Sequence, residues 1–246
     1  MDNLDRLGWV AGFSFVSYGV HVGVRVTDCS VIPRLIEFLP PGSVVSEQPS
    51  DINRSDPGLD AIPKVGVDRL YSLIVAGTKI GSRHRRVNLS FADLTMIGKT
   101  ADLDETFDLF ESDLQLHVAE AARGRVFVHS GVVAWNGKAI LVPGRSFSGK
   151  TTLVKELVRA GATYYSDEYA VLDRRGRVYP YPKPLAIRNS GSQIQTKVTV
   201  ESLGGSRGDG PVPVGLVAVC TYKEGAKWRP RSLSAGQGAL ALLANT

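Results

Sequence analysis

Only two cysteines, Cys29 and Cys220, occur in 246 residues. They form no Cys-x-x-Cys pair and have no histidine cluster beside them. The sequence therefore offers neither a disulfide framework nor a zinc site, and a reducing, cytoplasmic setting is the simplest expectation. No stretch approaches the roughly 20 unbroken apolar residues of a membrane span. The opening "MDNLDRLGWVAG" is acidic and has no basic segment leading into an apolar run, so it does not read as a secretory leader. Internal repeats are absent. The net charge is +5 and the pI about 9.2, yet the basic residues are scattered. Their densest run, "SRHRR" (82–86), reads as a solvated turn between strands. No helix carries a basic face with interleaved aromatics, so nucleic acid is not an expected partner. What the chain does have is 43% hydrophobic residues, enough to bury a core and to exclude general disorder.

The first hundred residues read as β-rich. Residues 9–28 are β-branched and aromatic, broken by Gly19 and closed by Thr27-Asp28, which predicts a hairpin. "SVIPRLIEFLP" predicts a short helix capped by Ser30 and stopped at Pro40-Pro41-Gly42. Residues 46–64 read as a long polar loop. Strands resume in 67–77 and 85–98. Phe107, Phe110, Leu114 and Val118 then recur at spacings of three and four, predicting an amphipathic helix over 102–124 with Gly124 after its end. From 125 three short strands are expected, with Asn136-Gly137 as a tight turn. After a glycine-rich loop and a helix to about Ala160 come one strand "ATYYSDEYAVLD", a turn at 173–177, a glycine-rich loop at 201–211, a buried strand at 214–222 and a last helix. The domains expected are 1–100, a β-rich subdomain, and 101–246, a nucleotide-binding domain.

The second part holds the chemistry. Gly144, Gly149, Lys150 and Thr151 fit Gly-x4-Gly-Lys-Thr. Such a loop needs glycines so that successive backbone N–H groups can curl around phosphate oxygens. The N-terminus of the following helix adds its donors and its dipole. The lysine reaches the outer phosphates, and the hydroxyl after it coordinates Mg2+. The motif's context is present. "AILV" (139–142) leads in as a strand, and "TLVKELVRAG" follows as a helix with apolar pairs Leu153/Leu157 and Val154/Val158 and Gly161 as its stop. The expected nucleotide contacts are Gly144, Arg145, Ser146, Phe147, Ser148, Gly149, Lys150, Thr151 and Thr152, with ATP and Mg2+ as cofactors. A metal usually takes a second contact from a carboxylate at a nearby strand end. Asp167 and Glu168 are adjacent, so both reach one site only at a strand end or kink, which Ser166 permits. Asp173 reads as a turn former. His129, alone, reads as a structural histidine.

Taken together, His129-Ser-Gly131, the loop 144–151, Leu157-Val-x-x-Gly161 and Ser166-Asp-Glu168 resemble the HPr serine kinase/phosphorylase family, in particular its shorter HPr-kinase-like members. "RVYPYPKPL" (177–185) is similar to the proline-rich stretch that follows the acids in those relatives. The resemblance covers about 125–240. It implies an α/β fold with a mixed sheet, related to phosphoenolpyruvate carboxykinases rather than to the parallel-sheet nucleotidases, and phosphoryl transfer to a serine-type hydroxyl of a protein, peptide or small molecule. It implies that Lys150 grips the β/γ-phosphates, that Thr151 and Glu168 hold Mg2+, that Asp167 accepts the hydroxyl proton, and that His129 lies near the transferred group. It also implies a tendency to form homo-oligomers and a further segment after "LLANT". Thr152 and Glu168 replace the Glu and the second Asp of the family pattern. The Glu-Ile-Arg-Gly-x-Gly stretch that serves acceptor docking and the reverse reaction is missing. "SRHRR" or Arg188 is a candidate contact for an acidic peptide. Two other readings stand beside the kinase: a nucleotide-binding regulatory module without transfer, and a carboxykinase-like metabolic enzyme, for which no metal-binding Lys/His/Asp set is found.

Overall fold

The computed structural model describes Leu4 and residues 7–47, 66–75, 87–145, 148–188, 195–223, 225–227 and 229–246. The run 82–86 and most of the polar loop at 46–64 lie outside these residues. By its contacts the chain divides into Met1–Arg123 and Gly124–Thr246, and the architecture is mixed α/β. Among the described residues no helix is long and apolar enough to cross a membrane.

The first unit is a six-stranded sheet in the order β3-β1-β2-β4-β5-β6, made of β1 Ala11–Ser17, β2 Val20–Val26, β3 Val44–Glu47, β4 Arg69–Ile74, β5 Asn88–Ala92 and β6 Thr95–Thr100. Its β2–β4 pair is parallel and the others are antiparallel. The expected hairpin forms as β1–β2, with Tyr18 and Gly19 both at positive φ (49° and 82°). Such a two-residue turn matches the strands' right-handed twist. The segment 85–98 folds back on itself as β5–β6 around Asp93 (φ 54°). Asp28, rather than Ser30, caps the short helical segment. Its Oδ1 accepts from Ser30 N at 2.9 Å, and a 3-10 turn at Cys29–Val31 then leads into helix α1, Ile32–Glu37.

Helix α2, Leu103–Ala121, is capped by Asp102 and buries Phe107, Phe110, Leu114 and Val118, the stripe that the spacing requires. It packs on β5 and β6. The expected boundary at 100/101 therefore moves to 123/124: this helix completes the core of the first unit.

The second unit has a six-stranded sheet whose pairings run in a ring. It contains β7 Arg125–Trp135, β8 Lys138–Pro143, β9 Thr163–Ser166, β10 Tyr169–Asp173, β11 Arg177–Tyr179 and β14 Val212–Val217, in the order β10-β11-β14-β8-β7-β9, with β10 also pairing with β7. Only β8–β14 is parallel. A separate ribbon joins β12 Leu185–Arg188 to β13 Gln195–Val198. Where three strands were expected from 125, there are two. β7 runs eleven residues through Ser130-Gly131 because it has partners along its whole length: β10 along 125–129, β9 along 132–134 and β8 along 130–135. One face of this sheet packs Val128, Val132, Leu141, Tyr165 and Val178, with Leu242 of helix α4, Ala235–Leu243, against it. The opposite face packs Val133 against Val154 and Val158 of helix α3, Lys150–Arg159. The strand expected at 214–222 ends at Val217 and is not buried: Leu216 is 53% exposed.

Candidate functional site

Three pieces of chain meet at one end of the second sheet. The first is the middle of β7. Side chains alternate along a strand, so His129 and Gly131 share the face of Val133, the face that α3 covers. Gly131 is there because nothing larger fits. A β-carbon on it would stand 2.5 Å from Val154 Cγ2 and 3.8 Å from both Asp167 Oδ1 and Lys150 Cβ.

The second piece is the loop after β8. Gly144 N donates to the His129 carbonyl at 3.4 Å. Gly149 takes φ 91° at the start of α3, a conformation that glycine reaches without steric cost, and no side chain caps that helix. Among the described residues, the N–H groups of its first turn have no side-chain cap, the arrangement that suits an anion. Lys150 is buried and folded back. Its Nζ donates to the carbonyls of Gly144 (2.5 Å) and Arg145 (2.8 Å). Ser148 Oγ is buried and without a partner. Arg145 and Thr152 are exposed, and Ser146 and Phe147 lie outside the described residues.

The third piece is the break between β9 and β10. The expected single strand 162–173 is interrupted at Asp167-Glu168. Buried Ser166 makes the break: its Oγ accepts from Glu168 N (3.0 Å) and Tyr169 N (2.9 Å), a local turn that competes with the ladder. Ser130 N then donates to the Glu168 carbonyl at 3.1 Å. This is the kink that adjacent acids require if both are to reach one site. Asp173, by contrast, is the turn former expected, accepting from Arg175 N and Arg177 N.

Asp167 Oδ1 is buried with no donor, and the Thr151 side chain lies near enough to the Asp167 carboxyl to favour its ionised form. Burial, with Glu168 adding to it, raises the Asp167 carboxyl to about 6. Thr151 and Lys150 oppose the rise. Burial also lowers the Lys150 ammonium, against the pull of Asp167 and Glu168. His129 is lowered by burial and then by Lys150, which keeps its imidazole neutral at pH 7. Its ring lies 6.3 Å from that of Tyr169.

Among the described residues no three His, Cys, Asp or Glu side chains gather into a metal cage. A hydroxyl, two adjacent carboxylates and one buried oxygen without a donor are the set on offer. They fit a hard cation that completes its shell with phosphate oxygens and water. Sequence reasoning named every member of this cluster except Tyr222. It is 73% exposed, and its N–H donates to the Ser148 carbonyl at 3.2 Å. Reading 214–222 as a buried strand hid it. Compared with protein-family models, with curated proteins and with solved structures, the chain matches none.

Proposed function

We propose that the second unit is an ATP-dependent phosphotransferase of the HPr-kinase-like kind, moving the γ-phosphoryl group to a serine-type hydroxyl of a peptide, protein or small molecule. The observation that carries this reading is the Asp167 carboxylate, whose Oδ1 is buried and unpartnered where Lys150 and Thr151 of the loop approach Gly131 of β7. A glycine loop alone could hold any anion. A loop whose hydroxyl faces a buried carboxylate is built for a metal–phosphate complex. A nearly all-antiparallel sheet carrying the loop also supports the resemblance to the mixed-sheet kinases over the parallel-sheet nucleotidases.

In this reading the loop N–H groups and the first turn of α3 cradle the phosphates. Lys150 leaves the Gly144 and Arg145 carbonyls for the β/γ-oxygens. Thr151 and Glu168 hold Mg2+, which when bound neutralises charge across the phosphate oxygens. The acceptor oxygen attacks the γ-phosphorus as the bond to ADP breaks, and its proton passes to Asp167. A carboxyl raised to about 6 is mostly ionised at pH 7 yet more basic than an ordinary one, which suits that step. Neutral His129 flanks the transfer without adding charge.

The test is mass spectrometry of acceptors incubated with protein and Mg·ATP: free serine, pooled acidic peptides and HPr. A gain of one phosphate matched by ADP is the expected outcome. Tight ATP binding with no phosphorylated product on any acceptor would favour a regulatory module instead.

A further inference from the structure

The segment that follows β14 runs to the phosphate loop. β14 and β8 are the one parallel pair in their sheet, so their carboxyl ends point the same way. In sheets with parallel strands, ligands settle outside those carboxyl ends. The carboxyl end of β8 delivers the phosphate loop. The carboxyl end of β14 delivers residues 218–222, and two hydrogen bonds fix their path: Ala218 N to the Leu141 carbonyl at 2.8 Å and Tyr222 N to the Ser148 carbonyl at 3.2 Å. The second places Tyr222 against the loop's own backbone. A β-carbon built on Gly149 would stand 3.2 Å from Tyr222 Cβ, so the two chains abut. Yet the side chain is 73% exposed. A large aromatic held by its backbone at the rim of a phosphate loop, with its ring left to solvent, has a free π-face.

We propose that Tyr222 is the platform on which the base of the bound nucleotide stacks, making the segment after β14 the base-side wall of the site. This rests on the reading of the loop as a nucleotide site and adds to it the residue that senses the base. Every nucleobase offers a π-face, and stacking on an aromatic side chain contributes without hydrogen-bond readout. The platform therefore predicts tighter binding of a nucleoside triphosphate than of its bare phosphate chain. It does not by itself choose adenine over guanine.

The experiment compares two probes, Mg·ATP and base-free Mg·tripolyphosphate, by calorimetric titration into the full chain and its Tyr222→Ala and Tyr222→Phe variants. Expected is a loss of about 10-fold or more in Mg·ATP affinity for Tyr222→Ala, from the size of base–aromatic stacking. Tyr222→Phe should keep its affinity, and tripolyphosphate should bind all three proteins equally. Retained tripolyphosphate binding also shows that the alanine variant is folded. Unchanged Mg·ATP affinity in Tyr222→Ala overturns the platform and leaves the phosphate site intact. Equal weakening of both probes also overturns it, because Tyr222 would then act on the loop through Ser148. Failure of the unaltered chain to bind either probe overturns the nucleotide reading itself, and the platform with it.

Discussion

Each unit gathers a histidine, a cation and a carboxylate close together, and the two clusters differ in design. In the first unit Tyr71 donates to Asp113 Oδ2 at 2.7 Å, Arg69 Nη1 lies 3.4 Å from the same oxygen, and Arg69 and Asp113 both bear on His117. In the second, Lys150 stands among Asp167, Glu168 and His129. The first cluster is packed in by aromatic rings, although Arg69 Nε and His117 Nε2 make no hydrogen bond. Tyr71 packs edge-on against Phe110 with ring centroids 5.1 Å apart, and Asp113 belongs to the helix that the cluster ties to its sheet. In the second, glycines at 131, 144 and 149 let neighbouring groups press close, and Asp167 Oδ1 is left without a donor. Similar ingredients make a lock where aromatic side chains pack around them and a site where glycines let a strand, a loop and a helix end converge. A buried carboxylate oxygen left unbonded is costly, and proteins retain such costs where a ligand relieves them.

The sharpest way to break this contrast is Asp167→Asn. Transfer should fall by roughly 1,000-fold, within the range for a lost general base, while ATP binding survives. Loss of binding instead would make Asp167 a metal ligand and exchange its role with that of Glu168. The same change should stabilise the ligand-free protein. A carboxyl raised from 3.8 to about 6 contributes stability that is present below pH 4 and lost as pH rises through 6, so the gain from Asn should open between pH 4 and 6. At pH 7.5 it should reach roughly 3 kcal/mol, seen by urea unfolding. Absence of that pH dependence would contradict the burial.

Lys150→Ala should lower transfer about 100-fold or more, the weight of one preorganised charge, measured as ADP formation. Undiminished turnover would remove the loop from the chemistry. Gly131→Ala tests whether that close approach matters. Its methyl meets Val154 at 2.5 Å, so α3 has to shift, at a cost of about 1–3 kcal/mol in thermal unfolding, with weakened nucleotide binding. The smallest expected effect lies in the other cluster. Tyr71→Phe should cost about 1 kcal/mol in unfolding and leave turnover unchanged. A drop in turnover would show that the first cluster is more than a lock.

Most of the site was legible because its chemistry is local in sequence. Gly144 to Thr151 form one turn, and the kink at Ser166-Asp167-Glu168 follows from the demand that neighbouring acids face one way. Gly131, quoted only as part of a pattern, turns out to be the place where β7 lets α3 and Asp167 approach. What the sequence hid was set by pairing across the sheet. β7 reads as two strands because Ser130-Gly131 weakens the apolar pattern, and only partners on both edges keep it whole. α2 reads as part of the second domain because it leads into it without a linker, whereas the helix that buries Phe107, Phe110 and Leu114 packs on β5 and β6. Residues 214–222 read as buried because they are apolar, but parallel pairing with β8 covers only the first part and leaves Tyr222 at the loop.

The most direct test of a single metal–nucleotide site is calorimetric titration of ATP into the unaltered chain and into Thr151→Ala, each with Mg2+ and with a chelator. If Thr151 and the acids share the metal with the phosphates, the unaltered chain binds ATP at least 10-fold more tightly with Mg2+ than without, and Thr151→Ala erases that difference while keeping the metal-free affinity. Equal affinity with and without Mg2+ in the unaltered chain, or a Mg2+ effect untouched by Thr151→Ala, would contradict the account.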